Sequence, residues 1–147
     1  MHSEANPKQQ DKLQEILQLA IKREIIAQNI YQSLTEMMPG HKSLFEHLVE
    51  QEIEHENKLK TIFKDFYPQQ ELDDYDGESS NLGLKAKRVK DPDKLIDFSI
   101  GEEREAEEFY LRISKQHFEG ANKRMILYLA SVERVHREQL KQYRNEF

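Results

Sequence analysis

Two glutamate–histidine pairs give this sequence its clearest chemical signal. Glu52 precedes His55 by three residues, and Glu133 precedes His136 by the same spacing. Residues three apart lie on one face of an α-helix, so each pair can direct a carboxylate and an imidazole towards one point. Helical bundles hold pairs of divalent metal ions with such side chains. The two pairs therefore predict a di-metal site.

At this content of glutamate and histidine, about one Glu-x-x-His pair is expected by chance, so two pairs alone are weak evidence. A repeat in the sequence strengthens the prediction of a metal site. Two further glutamates, Glu24 and Glu103, are each followed seven residues later by a tyrosine, Tyr31 or Tyr110. The Glu-x-x-His pair then begins 28 residues after Glu24 and 30 residues after Glu103. Two helix pairs in matching register predict a bundle with pseudo-two-fold symmetry.

All four glutamates of the repeat interrupt apolar stripes near the middle of their helices. Burying a carboxylate without compensation is costly and raises its pKa. The alternative, a solvated helix face, would require all four to be misplaced together. Two divalent cations would balance four carboxylates, with two neutral imidazoles completing the ligands. The predicted metal ligands are Glu24, Glu52, His55, Glu103, Glu133 and His136.

Tyr31 and Tyr110 return to the ligand face after two helical turns. Their hydroxyl groups could hold ligand carboxylates through hydrogen bonds, which orient metal ligands in many sites. Burial as ordinary aromatic core residues accounts for their spacing equally well.

Helix start and stop signals divide the chain into four long helices. Asn6-Pro7 and Asp91-Pro92 each predict a capping residue followed by proline in the first turn, and Pro39-Gly40 predicts a stop. Between these signals apolar residues recur at helical spacing. The predicted helices cover residues 8–37, 42–65, 92–117 and 121–146. The fold class is therefore all-α, a four-helix bundle.

Residues 66–92 connect the second and third helices with little periodicity. Their number exceeds the usual loop length inside a compact domain. A crossover along the bundle explains the excess, because ~38 Å of helix needs only ~12 extended residues. The connection would also let helix pairs exchange between two chains. Its basic cluster, Lys85, Lys87, Arg88 and Lys90, is better explained by solvation than by docking.

Composition limits the class of protein. At 147 residues, we expect residues 1–147 to form a single domain. The chain has no cysteine, which excludes disulfides and thiolate metal sites. Its net charge of -6 argues against nucleic acid as a partner. We expect a cytoplasmic protein that does not bind membranes, because no long apolar run and no secretory segment is present.

With these residues identified, the chain resembles the ferritin-like superfamily, and within it the rubrerythrin-type di-iron carboxylate proteins. The resemblance covers all four helices and is based on residues 24–31, 52–55, 103–110 and 133–136. It implies that Glu24 and Glu103 are terminal ligands and that Glu52 and Glu133 bridge the two metals. His55 and His136 would bind one metal each.

The sequence departs from the family pattern at several places. Ala106 occupies the position of a further rubrerythrin glutamate, and we expect no cysteine-bound rubredoxin-like domain, since these 147 residues contain no cysteine. The ligand set is closer to the four-Glu, two-His site of bacterioferritins. However, Ile53 replaces their haem-ligating methionine, and the short fifth helix of ferritin cages is missing. We therefore expect no haem.

The resemblance implies two iron ions, with manganese as an open alternative, since nitrogen and oxygen ligands do not choose between the two metals. We expect an oxidoreductase that reduces hydrogen peroxide or dioxygen while Fe(II) is oxidised, as a peroxidase or ferroxidase. An external electron donor would be needed, because the chain carries no second redox centre. The alternative is a non-catalytic iron-binding or iron-handling protein, and a metal-free helical interaction module ranks below both. A homodimer is possible.

Overall fold

The structure, a computed structural model, describes residues 7–77 and 81–145. Within them are five α-helices, no β-strand, and no helix apolar enough over sufficient length to cross a membrane. The helices are α1 (Pro7–Met37), α2 (Lys42–Phe66), α3 (Asn81–Arg88), α4 (Pro92–His117) and α5 (Gly120–Arg144), with a 3-10 turn at Pro39–His41. The four predicted long helices are confirmed. The predicted Asn6 cap and the predicted end at residue 146 lie outside the described residues.

The start of α4 shows the predicted cap in atomic detail. Asp91 is extended, and its Oδ1 accepts hydrogen bonds from the backbone N–H groups of Asp93 at 2.9 Å and Lys94 at 3.4 Å. Pro92 follows as the first helical residue, where its missing N–H costs nothing. Helix α5 begins differently. Its first residue, Gly120, has a φ of 57°, in the left-handed region that glycine adopts without steric penalty.

The crossover contains α3, which the prediction of a plain connection missed. Leu82 and Ala86 lie one turn apart on α3, and Ala86 is buried in the core while Leu82 packs against it. An eight-residue helix shows too few apolar positions for its periodicity to be recognised in the sequence. Its packing on α1 stabilises it instead.

The crossover is also fastened to α1 before α3 begins. Asn29 Nδ2 donates a hydrogen bond to the Asp76 carbonyl oxygen at 2.8 Å. The next residue, Gly77, has a φ of 84°, and a Cβ atom there would lie 1.9 Å from Asn29 Nδ2. Only glycine fits this approach to α1.

The core lies in two apolar clusters with a polar layer between them. α1 packs on α2 and α4 packs on α5, and the two pairs meet mainly through α1 and α4. Leu17, Phe63 and Ile126 belong to the first cluster, and Leu34 and Phe45 belong to the second. The layer between them contains the buried glutamates and histidines of the repeat. The apolar clusters thus enclose the level at which the site lies.

Candidate metal centre

All six predicted metal ligands meet in the interior of the bundle. Each exposes 3% of its surface or less, so none belongs to a solvated helix face. α1 and α4 each contribute one glutamate, whereas α2 and α5 each contribute a glutamate and a histidine. This arrangement follows from the stripe of each helix, because the polar residues occupy positions that apolar residues would otherwise fill.

The ligand atoms form two groups, each with its atoms within 4.8 Å of one another. The groups are Glu24, Glu52, His55 and Glu133, and Glu52, Glu103, Glu133 and His136. Glu52 and Glu133 belong to both groups, while each of the other four belongs to one. Because a carboxylate has two oxygen atoms, a shared glutamate can serve two ions at once.

The shortest contacts of the imidazoles cross between helices. His55 Nδ1 lies 2.8 Å from Glu133 Oε1, and His136 Nδ1 lies 2.8 Å from Glu52 Oε1. The two rings are nearly parallel, with centroids 6.0 Å apart. The halves of the bundle therefore present matched ligand sets to each other across the α2–α5 contact.

Several buried ligand atoms find no hydrogen-bond partner among the residues that the structure describes. They are Glu24 Oε2, Glu52 Oε1, Glu103 Oε2 and His136 Nδ1. A buried polar atom left without a partner carries a desolvation cost of ~1–3 kcal/mol. All four atoms belong to the two ligand groups, and oxygen and nitrogen donors suit divalent iron or manganese. The residues present fit a pair of divalent cations.

The electrostatics of the site also favours a pair of divalent cations. Burial raises the pKa of Glu52 well above its usual value, and the carboxylates of Glu24 and Glu103 raise it further. Burial and the same kind of repulsion raise the pKa of Glu133. For Glu24, burial acts to raise the pKa, but the neighbouring Glu52, His55 and Tyr110 outweigh burial and lower it. Cations would relieve this crowding of negative charge.

Two tyrosines hold the glutamates of α1 and α4 reciprocally. Tyr31 of α1 donates to Glu103 Oε1 of α4, and Tyr110 of α4 donates to Glu24 Oε1 of α1, both at 2.5 Å. Burial, together with the adjacent carboxylates, raises the pKa of both hydroxyls well above the usual value, so they stay protonated donors. Each of these glutamates thus has Oε1 held by tyrosine and Oε2 without a partner.

The comparisons agree with this geometry. The family model described as Rubrerythrin matches residues 15–144. The chain belongs to the rubrerythrin family. It is also similar to a solved structure described as a hypothetical protein from Pyrococcus furiosus, with 30% identity over 90% of this chain and 88% of that chain and a TM-score of 0.75. No curated protein matches the chain.

A cavity of about 30 Å³ opens onto the site of this rubrerythrin-family protein between α1 and α4. Ala27 and Ala106, at matching positions three residues after Glu24 and Glu103, line it together with the four buried glutamates. The alanine at 106, where the resemblance implies a glutamate in relatives, therefore leaves space beside the carboxylates. This volume holds a molecule about the size of water.

Two glutamates outside the ligand set form contacts between helices. Gln28 Nε2 donates to Glu56 Oε1 at 2.7 Å, and Arg137 Nη1 donates to Glu107 Oε1 at 2.5 Å. All four residues follow a repeat glutamate by four positions and are half-buried. The apolar stripe does not reveal Glu56 and Glu107, because a stripe shows the centre of a buried face but not its edge. Their spacing of four from a buried glutamate was the available signal.

Sequence reasoning also missed Gln51, which contacts an imidazole from another helix. Gln51 Oε1 lies 2.5 Å from His136 Nε2. Gln51 precedes His55 by four residues, so both lie on the side of α2 that faces α5. That spacing could have indicated Gln51, although nothing in the sequence specifies His136 as its partner.

Proposed function

We propose that this protein holds two iron ions and reduces hydrogen peroxide or dioxygen while Fe(II) is oxidised. The observation that carries the proposal is the sharing of Glu52 and Glu133 by two ligand groups. Shared carboxylates keep two ions close enough to react with one small molecule. When bound, two ferrous ions supply the two electrons that, with two protons, convert hydrogen peroxide to two molecules of water.

The four glutamates and the two tyrosines would have different roles in holding such a di-iron centre. Glu52 and Glu133 would hold both ions, and Glu24 and Glu103 would hold one ion each, since the Oε2 atoms of the latter two find no hydrogen-bond partner among the described residues. Tyr31 and Tyr110 fix the other oxygen of these two terminal carboxylates. Ligands held in this way keep their orientation when the charge of the ions changes.

The cavity between α1 and α4 supports a small oxidant as the substrate. Its volume of about 30 Å³ is small, as expected of a site for dioxygen or hydrogen peroxide. The apolar clusters on either side of the site keep bulk water away. Electrons would come from an external donor, since the chain has no cysteine for an iron–sulfur or rubredoxin-type centre.

An anaerobic titration with Fe(II) followed by a pulse of hydrogen peroxide tests the proposal. We expect saturation near two ions per chain, a rapid rise in near-ultraviolet absorbance with peroxide, and recovery of the ferrous protein after re-reduction. Saturation without repeated turnover would favour the alternative, an iron-handling protein. Failure to bind iron would refute both.

Glu52→Gln provides the decisive variant, because Glu52 belongs to both ligand groups. We expect it to abolish turnover while circular dichroism shows the helices retained. Glu54→Gln on the same helix is the matched control, because Glu54 is exposed and its ion pair among the described residues is with Lys58, at 3.2 Å. Full peroxide turnover by Glu52→Gln would show that the reaction does not use this site.

A further inference from the structure

One of the differences between the two halves of the repeat lies directly beside the metal ligands. The residue before the first Glu-x-x-His pair is Gln51, whereas the residue before the second is Val132. Both side chains are half-buried. Gln51 reaches across from α2 to the imidazole of His136, while a valine at the matching place on α5 has no polar atom to offer His55.

The contact with Gln51 determines where His136 carries its proton. An amide oxygen only accepts hydrogen bonds, so the Nε2 atom of His136 donates and its Nδ1 atom holds a lone pair. That Nδ1 atom is buried, has no hydrogen-bond partner, and lies 2.8 Å from Glu52 Oε1, which also has none. His136 is therefore already oriented and in the tautomer that binds a metal ion through Nδ1.

His55 is arranged differently despite the same 2.8 Å separation from a carboxylate. Its Nδ1 atom is in hydrogen-bond geometry with Glu133 Oε1. Among the described residues, no hydrogen bond to its Nε2 atom is found. Binding a metal through Nδ1 would first break the contact with Glu133, and Val132, which occupies on α5 the place that matches Gln51, offers the ring no hydrogen bond.

We propose that Gln51 is a positioning residue that makes the two metal positions unequal. The ion on the His136 side is bound more tightly and first, and the ion on the His55 side is bound more weakly and exchanges more readily. This inference depends on the proposed di-metal function. Loss of a hydrogen-bonded partner of a metal-ligating histidine lowers metal affinity by ~10–100-fold, which sets the expected difference.

Titration of the metal-free protein with Co(II), followed by calorimetry and visible absorbance, tests the inference. We expect two binding steps that differ in affinity by about tenfold or more. His136→Ala should remove the tighter step, and His55→Ala should remove the weaker one. Gln51→Leu should weaken the tighter step ~10–100-fold, whereas Gln51→Glu, which keeps an oxygen acceptor, should retain it.

A double-mutant comparison separates positioning from a general effect on the fold. Gln51→Leu should have no further effect on cobalt affinity in the His136→Ala background, because its partner is then absent. Val132→Gln is the converse test, because it places a glutamine on α5 where it can accept a hydrogen bond from His55, as Gln51 does from His136. We expect that variant to strengthen the weaker step and bring the two affinities together.

The results that would overturn the inference differ from those that would overturn the proposed function. Two equal steps in the unmodified protein would refute the inequality while leaving the di-metal site intact. Equal weakening of both steps by Gln51→Leu, or the same loss in the His136→Ala background, would show that Gln51 only supports the fold. Absence of any cobalt binding by the unmodified protein would instead refute the proposed function.

Discussion

Removing a shared glutamate should cost twice as many bound ions as removing a terminal one. Glu52 belongs to both ligand groups, whereas Glu24 belongs to one, although both lie at the same level of the bundle and are equally buried. Glutamine has nearly the shape of glutamate, so Glu52→Gln and Glu24→Gln change charge without opening a cavity. The two variants therefore test whether carboxylates are shared between ions.

The expected size follows from metal-linked stability. An ion that binds only the folded protein, at a free concentration 100 times its dissociation constant, adds ~2.7 kcal/mol to the free energy of unfolding. For a domain of this size, ~1 kcal/mol shifts Tm by roughly 4 °C, so each ion should raise Tm by about 10 °C. We expect a rise of about 20 °C for the unmodified protein, about 10 °C for Glu24→Gln and almost none for Glu52→Gln.

Thermal unfolding followed by circular dichroism, with and without Co(II), measures these shifts. The metal-free variants serve as fold controls. Glu52→Gln should unfold at or above the Tm of the unmodified metal-free protein, because it removes a buried carboxyl group whose ionisation is opposed by burial and by neighbouring carboxylates. Equal loss of the metal-dependent shift in both variants would refute the sharing. So would a full shift in Glu52→Gln.

Three further substitutions test contacts around the site and along the crossover. Tyr110→Phe leaves Glu24 Oε1 without its hydrogen bond, so it should lower Co(II) affinity about tenfold on the Glu24 side, measured by calorimetry. Gly101→Ala should add ~0.5–1 kcal/mol to the free energy of unfolding in urea, because the helix interior has nothing within 4 Å of the new Cβ. Gly77→Ala should cost ~1–2 kcal/mol or more and expose the crossover to limited proteolysis, since its positive φ and the nearby Asn29 oppose a side chain.

Each of these substitutions has a control and a contradictory outcome. Tyr128→Phe removes a hydroxyl from an exposed side chain and should leave metal affinity unchanged. If Tyr110→Phe behaves likewise, the hydroxyl does not orient the carboxylate. A loss of stability in Gly101→Ala would contradict the open space at that position. Unchanged proteolysis of Gly77→Ala would mean that the crossover is not held by its contact with α1.

The sequence by itself determined the class of fold and which residues are the candidate metal ligands. Periodicity showed which face of each helix is buried, and the matching registers of the two halves predicted that four glutamates share one level. Glu24 could be identified as a candidate ligand although no motif marks it, because a carboxylate within an apolar stripe must enter the core. Helix caps such as Asp91-Pro92 fixed the boundaries, since capping depends on neighbours in the chain.

The tertiary structure decided which of these residues touch. The sequence pairs Glu52 with His55, yet His55 Nδ1 lies 3.9 Å from Glu52 and 2.8 Å from Glu133 on another helix. The contact of Gln51 with His136 likewise joins residues of two different helices. Periodicity specifies the direction of a side chain around its own helix axis, whereas these contacts depend on the rotation and axial offset of one helix relative to the next. Those two quantities are set only when the apolar clusters pack, and they give the two halves of a repeated sequence unequal surroundings.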